Sequence, residues 1–486
     1  MLFRQYLNNI LFHKTMSYSP NLTYFLDRLQ GFSTNVFRLE TQGSDTATAN
    51  KIIRFSMPSN ALLNMRSFTM HFNATTNGDA NGARLPAKID TLIERVEVTA
   101  GGIQLSQGLN LYNVLRHAKD ALLGDKTNSV CGHPDIIRTI SPVDGFGHNG
   151  TAVLSGISGE SYPDTNKEAQ FMINHWEGFL GTCEPKILDA AILPDLVISI
   201  YLADNNVLTS SIGVGLEGAA TPLTTAGAKG ATYTLNNIHA TIESIGLADA
   251  VYDNMVSSMI AQKGYVEIPF KQYFSFNNTH QGSTRFSLAT QSLDRVWVAF
   301  RDSAYATQKA PLRVKGYKLK GAFTSAASIA ATQTAGTVTQ DIGKSEYLGL
   351  LDTEKEKYVG VYYNFVEPAT SSKNTYQLQL NGAYYPQFAA TAEEMYTISK
   401  NSTLGSYSEQ FKSLQQYKNN YFVMCSRLNM PESEFSRTAS GLDTRSVSLN
   451  GYFNTFNTTG SPNVVIFCEC TSTIRVGQGR MIEVLT

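Results

Sequence analysis

Apolar and polar positions alternate with a period of two along most of the chain from Ser33 onward. Alternation of this kind marks half-buried strands, because successive side chains point to opposite faces of a sheet. After the strand-like "STNVFRLE" come "KIIRFSM", "SFTMHFNAT", "ERVEVTAGGIQL", "LVISIYLA", "YTLNNIHATIESI", "YVEIPFKQYFSF" and "SLDRVWVAF". Further along follow "LRVKGYKLKGAF", "YVGVYYNFV", "YQLQLNGAYY", "YFVMCSRL", "RSVSLNGYF", "NVVIFCECTSTIRV" and "RMIEVL". These runs are rich in β-branched and aromatic residues and are separated by Gly, Asn, Pro and Ser, which predicts many short strands joined by turns. Helical spacing is confined to Leu109–Leu123, Ala248–Gln262, a weaker pair within Ala392–Gln416 and a short segment in "NLTYFLDRLQGF". Two Gly/Ala/Thr-rich stretches, Ser210–Thr232 and Thr324–Gly343, read as long loops, and a polar stretch, "GESYPDTNKEAQ", precedes Phe171. Loops of that length in a compact domain are usually functional or exposed projections.

The order of elements repeats. "VEVTAGG" (Val96–Gly102) with the helix holding Tyr112 is echoed by "LQLNGA" (Leu378–Ala383) with the helix holding Tyr396. "PDLVISIYLADNN" then corresponds to "NNYFVMCSRLNM", and "YTLNNIHATI" to "RSVSLNGYFNTF". The repeat predicts two copies of one β-sandwich, dividing near Asp302–Pro311.

Composition agrees with this. Of 486 residues only 16 % are charged, while Gly numbers 37, Tyr 24 and Phe 25. Strands and turns have that composition; long solvated helices do not. A formal net charge of −1 gives no global attraction to nucleic acid or an anionic membrane. The five cysteines, Cys131, Cys183, Cys425, Cys468 and Cys470, include no Cys-x-x-Cys pair and read as buried reduced thiols. Cys468 and Cys470 flank Glu469 and fall on one face of a strand. No apolar run reaches a membrane-spanning length. In "MLFRQYLNNILFHKTM", Leu2, Phe3, Tyr6, Leu7, Ile10 and Leu11 recur at helical spacing. The segment reads either as a leader ahead of a start at Met16 or as an amphipathic arm docking on a neighbour or a bilayer.

Reaction chemistry is not visible. Gly101 and Gly102 follow a strand, but "IQLSQ" separates them from the helix, so they do not form a dinucleotide fingerprint and fit a hairpin turn better. "GDKTN" lacks the glycines of a P-loop, and "GISGE" lacks the spacing of a nucleophile elbow. His175 and Glu177 in "HWEGF" match the His-x-Glu of zinc deaminases without the accompanying Pro-Cys-x-x-Cys. Cys131 and His133 sit too close for usual zinc spacing. No residue is assigned a catalytic, cofactor-binding or metal-binding role, and no cofactor is expected.

In their order, these segments resemble the double jelly-roll major capsid proteins of the bacteriophage–adenovirus lineage, those of polinton-like viruses and virophages above all. "IERVEVTAGGIQLSQGLNLYNVL" is similar to the strand, glycine turn and helix of the first roll, and "ILPDLVISIYLADNN" to its next core strand. "ESIGLADAVYDNMVSSMIAQKG" resembles the helical insertion and "SLDRVWVAF" the strand closing that roll. "YQLQLNGAYYP", "SGLDTRSVSL" and "CTSTIRVGQG" resemble segments of the second roll. "YFVMCSRLNM" departs from the aromatic-proline context found in the large-virus proteins.

The resemblance implies an all-β chain of two tandem eight-stranded jelly rolls with a few short helices in insertions. Its parts would be an N-terminal arm (1–34), a first roll (35–305) and a second roll (306–486). It implies a non-enzymatic shell protein of the virion capsid of an icosahedral DNA virus, assembled in the host cell as pseudo-hexameric homotrimers. Expected partners are other copies, neighbouring capsomers, minor capsid and penton proteins, and an internal membrane or minor protein met by the arm, with no specific nucleic-acid sequence. A β-sandwich receptor- or carbohydrate-binding viral protein is the alternative, with "YVGVYYNF" (Tyr358–Phe365) as its aromatic platform. A β-sandwich hydrolase is disfavoured by the missing acid–base constellation.

Overall fold

The computed structural model describes residues 33–59, 61–77, 83–84, 89–106, 109–123, 169–190, 192–207, 209–210, 232–246, 264–301, 310–311, 370–403, 421–429, 441–445, 449–458, 462–477 and 481–485, with single positions at 258, 261, 365, 367–368, 414 and 417–418. Eight strands build an N-terminal sandwich: β1 (Ser33–Glu40), β2 (Ile52–Ser56), β3 (Leu62–Asn77), β4 (Ile93–Ala100), β5 (Ile103–Gln104), β6 (Ala169–Ile173), β7 (Val197–Leu202) and β8 (Thr232–Gly246). They pair as β1-β8-β3-β6 in one sheet, which the short strands Ala47–Thr48 beside β8 and Ile187–Asp189 beside β3 bring to six, and β2-β7-β4-β5 in the other.

Eight more build a C-terminal sandwich: β9 (Tyr265–Thr279), β10 (Ser283–Leu288), β11 (Leu293–Arg301), β12 (Thr370–Leu380), β13 (Ala383–Thr391), β14 (Val423–Arg427), β15 (Leu449–Thr458) and β16 (Asn463–Gly477). Their sheets are β9-β16-β11-β14 and β10-β15-β12-β13, with β17 (Ile482–Leu485) added beside β16. Both halves therefore wind identically. The first, eighth, third and sixth strands share one sheet, and the second, seventh, fourth and fifth share the other. All these pairings are antiparallel.

The alternating pattern places the cores. β8 buries Tyr233, Leu235, Ile238, Ala240 and Ile242. Its inward phase slips by one residue at Asn237, where φ is 50° and the register with β3 shifts. A bulge resets the phase so that both ends of the long strand still face the core. In the second sandwich Phe300, Tyr376, Phe422 and Phe453 meet with ring centroids 5.3–6.5 Å apart. Tilted and offset-stacked packing of this kind adds to the area the rings bury.

The hairpin expectation at Gly101–Gly102 holds. Ala100 pairs Ile103, and both glycines have positive φ, 56° and 80°. The second sandwich repeats the device with Asn381 (48°) and Gly382 (89°) between Leu380 and Ala383. Two-residue loops with two left-handed residues match the twist of the flanking strands. Each hairpin is followed by a helix, α1 (Tyr112–Leu123) in the first half and α3 (Ala392–Thr403) in the second. Between them lies α2 (Phe179–Thr182), a single turn. Thr391 and Glu394 cap α3 reciprocally: the Thr391 N–H donates to Glu394 Oε2 at 2.7 Å, and the Glu394 N–H to Thr391 Oγ1 at 3.4 Å.

Two expectations need correction. Residues 265–301, assigned to the first roll, pair with strands of the C-terminal half: β9 and β11 with β16, and β10 with β15. "SLDRVWVAF" is thus the third strand of the second sandwich, and the pairing changes over between Gly246 and Tyr265 instead of near Asp302–Pro311. The alternation runs on through 265–301 without a change in composition, so nothing in the pattern marked the changeover. The repeat is also offset by one strand after the helices. β6 is only five residues long and follows a polar stretch, too short for its alternation to stand out in the sequence. The counterpart of "YFVMCSRLNM" is therefore β6, and "PDLVISIYLADNN" matches β15. Loops of the two halves meet in a small sheet of Ala83–Arg84, Thr209–Ser210 and Ala310–Pro311. The arm through Phe32, the interiors of the two long loops, "LRVKGYKLKGAF", most of Ala248–Gln262 and all of Tyr358–Phe365 but Phe365 lie outside the described residues.

Candidate functional site: a buried polar seam

α1 is buried on nearly every side, polar residues included: Asn113, Arg116 and His117 are as enclosed as Tyr112, Val114 and Leu115. Such burial requires cover on both faces of the helix. The first half supplies one cover, through Asn113 Nδ2 donating to the Thr91 carbonyl at 3.2 Å and the His117 Nε2–Thr91 Oγ1 contact at 2.7 Å. The second half supplies the other, through the outward face of the β9-β16-β11-β14 sheet.

Charges buried there must be paired, because an isolated ion in a low-dielectric interior is too costly to keep. Arg116 Nη1 donates to Glu177 Oε1 at 2.8 Å and its Nε to Asp90 Oδ2 at 3.3 Å. Lys119 Nζ donates to Glu177 Oε2 at 2.6 Å and to Tyr273 Oη at 3.0 Å. The Tyr273 hydroxyl, on β9, donates in turn to Glu177 Oε2 at 3.2 Å. Burial disfavours ionisation of Glu177, but Lys119 and Arg116 outweigh it and hold the carboxyl at about 2. Burial pushes the Tyr273 phenol well above its ordinary value, so it remains a donor.

A second knot lies on β9, β11 and β16. Glu469 accepts from Arg295 Nη1 at 2.9 Å and from Trp297 Nε1 at 3.0 Å. Burial opposes its charge; Arg295, Lys119 and Lys271 prevail and hold its carboxyl below the usual value. Lys271 Nζ donates to Asp294 Oδ2 at 2.7 Å and to Thr471 Oγ1 at 3.0 Å. Backbone and apolar contacts finish the seam. The Glu184 N–H reaches the Pro269 carbonyl (2.9 Å), the Lys271 N–H reaches Thr182 Oγ1 (2.9 Å), and Phe179 meets Phe270 edge-on with centroids 5.4 Å apart. A cleft of about 200 Å³ opens beside them, lined by Arg66, Lys119, Thr182, Glu184, Lys271 and Glu469 among others. Lys119 and Lys271 each already hold a carboxylate there, so the geometry is that of a joint.

The residues with suggestive spacing fall within this account. Glu177 of "HWEGF" neutralises Arg116 and Lys119, and Trp176 donates from Nε1 to the Phe68 carbonyl at 2.9 Å. Among the described residues no group of three or more His, Cys, Asp or Glu could hold a metal ion, and no helix is long and apolar enough to cross a membrane. Cys183, Cys425, Cys468 and Cys470 are free and buried. Burial pushes the Cys183 thiol up to about 12 and raises the other three. Glu469, between two of them, points away from their face, as alternation requires. Cys131 and His133 lie outside the described residues. Sequence reasoning missed Arg116, Lys119, Lys271, Asp294 and Arg295. One signal was available: charges set inside otherwise apolar runs, as in "SLDRVWVAF" and "IFCECT", of a chain poor in charge.

No family model matches the chain, and no curated protein matches it by sequence. Solved structures do. The PBCV-1 VP54 crystal structure, fitted into a reconstruction of the virophage Sputnik, aligns over 94 % of this chain and 98 % of its own, with a TM-score of 0.53 at 14 % identity. At that identity the likeness is one of fold. The chain is a double jelly roll. A quasi-atomic model of the PBCV-1 virus capsid aligns with the same coverage, identity and score. The 3.5 Å structure of the Sputnik virophage aligns over 94 % of this double jelly roll and 88 % of its own chain, at 11 % identity and a TM-score of 0.47.

Proposed function

We propose that this double jelly roll is the major capsid protein of an icosahedral DNA virus, three copies forming a six-lobed capsomer in the virion shell. The observation that carries this reading is the tandem itself: two identically wound sandwiches in one chain, joined by a buried seam in which charges are paired. The likeness in fold to VP54, whose structure is fitted into a virus particle, supports it. Jelly rolls suit a shell because their sheets bury apolar faces inward and leave end loops free to lengthen. A net charge near zero lets many copies pack without mutual repulsion. We read the chain as non-enzymatic, since the buried charges of the seam neutralise one another. The receptor- or carbohydrate-binding alternative gains nothing from Phe365, the one described residue of its platform, which is buried.

The arm before β1 belongs, in this reading, on the inner side of the shell, where its apolar positions meet a neighbouring capsomer, a minor protein or a membrane. Light scattering of the purified chain tests the assembly. A particle of about 160 kDa, three times the 53.3 kDa chain, is expected. A stable monomer at micromolar concentration overturns the reading. Deleting Met1–Tyr18 should leave trimers folded and weaken shell formation; normal particles from the truncated chain would count against the arm's role.

A further inference from the structure

The seam shows how one sandwich meets the next. α1 follows the fifth strand of the first sandwich and lies on the outward face of the β9-β16-β11-β14 sheet, which is built from the first, eighth, third and sixth strands of the second. Lys119 Nζ donates to Tyr273 Oη on that face at 3.0 Å, and the Asn110 N–H, just before α1, donates to Ser275 Oγ at 2.9 Å. The contact is head-to-tail: the helix side of one sandwich takes the sheet side of the other. Head-to-tail contacts propagate, and they build a ring where the rotation between units closes.

The chain holds a second copy of each part of this contact, and both copies are open. α3 follows the fifth strand of the second sandwich as α1 follows that of the first. α1 is enclosed on nearly every side, whereas α3 leaves Glu394, Thr397 and Asn401 exposed. Steps of three and four place these residues on one side of the helix. Just ahead of it the register of β13 with β12 shifts between Tyr385 and Ala390, and Phe388, inside that irregularity, is 53 % exposed. Bulges of this kind re-aim side chains away from the sheet.

The sheet that corresponds to the covered one is β1-β8-β3-β6. The covered face buries Tyr273, Trp297 and Glu469. The open face carries Val36 and Met172, 61 % and 42 % exposed, on its two edge strands. Val36 pairs Glu243 of β8 and Met172 pairs His71 of β3, in the phase opposite to the buried Ile242 and Phe72. Apolar side chains therefore stand unpartnered on both halves of a contact whose geometry the chain already uses once.

We propose that a second copy of this chain docks here: α3 and the Phe388 bulge of one copy seat on the outward β1-β8-β3-β6 face of the next, repeating between chains the seam that α1 makes within one. The contact presupposes the trimeric reading above and is the surface through which three chains close.

The test uses the full chain with a photo-reactive phenylalanine analogue at position 388, irradiated after light scattering has established the assembly state. A crosslinked band of twice the chain mass is expected, with the partner peptide, read by mass spectrometry, inside β1, β3, β6 or β8. Phe388→Asp and Met172→Asp lie on opposite sides of the contact. Each should raise the concentration at which half the trimers dissociate at least about tenfold, the scale of a central interface residue. Both side chains are exposed in the single chain, so the variant monomers should melt as the wild-type monomer does. If a variant folds poorly, the crosslink in the otherwise wild-type chain decides. A wild-type trimer whose crosslinks from position 388 stay within one chain or reach other elements overturns this contact and leaves the capsid reading standing. So do well-folded variants that dissociate as wild type does. A wild-type chain that stays monomeric overturns both.

Discussion

Replacing Glu177 by Ala strands two buried cations. Lys119 loses the carboxylate it holds at 2.6 Å, and Arg116 loses its shorter carboxylate contact, at 2.8 Å. Removing one partner of a buried pair costs about 3–5 kcal/mol, because the orphaned charge keeps its desolvation penalty. The carboxyl's own titration gives a separate figure. Held at about 2 against an ordinary 4.5, Glu177 contributes roughly 3 kcal/mol, at about 1.4 kcal/mol per unit. The folded value lies below the unfolded one, so this contribution is complete above about pH 4.5 and is lost as pH falls towards 2. Urea unfolding of wild type, Glu177→Ala and Glu177→Gln should be followed from pH 7 to pH 3. Expected at pH 7 is a loss of about 3–5 kcal/mol for Glu177→Ala and a smaller loss for Glu177→Gln, which still accepts hydrogen bonds. Both variants should also lose part of the wild type's acid sensitivity below pH 4.5. Arg445→Ala serves as control, since its pair with Asp443 is solvent-exposed, and should leave the midpoint unchanged. Unfolding curves for Glu177→Ala that superimpose on wild type, or a pH slope identical in all three proteins, would refute the reasoning.

Other outcomes follow from local geometry. His280 is buried between Thr284 Oγ1 (2.6 Å) and Thr455 Oγ1 (2.7 Å), and burial lowers its pKa to about 4. Its neutral form is the stable one when folded, so stability should fall as pH drops from about 6.5 to about 4, and His280→Gln should flatten that part of the unfolding profile. Gly451→Ala places a Cβ 2.3 Å from the Phe286 ring, and denaturant midpoints should show a loss of about 1–3 kcal/mol that Phe286→Leu partly relieves. The thiols of Cys183, Cys425, Cys468 and Cys470 should resist a thiol-reactive dye in the native protein and react on unfolding; fast native labelling at any of them, located by mass spectrometry, would contradict their burial.

The strands and both hairpins were legible because period-two alternation and paired left-handed turn residues are local signals. The Gly101–Gly102 and Asn381–Gly382 turns needed nothing from the rest of the chain. Strand partnership is different. β9 to β11 look the same whether they close one sandwich or open the next, and only pairing with β15 and β16, 161 to 212 residues later, decides it. The five-residue β6 was invisible for want of length, and it shifted every later correspondence by one strand. The seam was illegible for the same reason that it works. Arg116, Lys119 and Glu177 are ordinary helix and loop residues until folding brings α1 against Tyr273. Glu177 was noticed for a zinc spacing, and the charges that explain it lie 58 and 61 residues away in sequence.

The covalent link between β8 and β9 has a consequence for any ring these chains build. Under the cyclic symmetry of the proposed trimer, each chain contributes one sandwich of each kind in the same order, so neighbouring lobes alternate and two of the same kind never adjoin. A ring of six lobes then has true threefold symmetry and only an approximate sixfold one. Substitutions in the first sandwich alter every second position and leave the others untouched. Alternate vertices of one hexagon can therefore diverge in shape and contact while sharing a single transcript, a single expression level and an exact one-to-one stoichiometry.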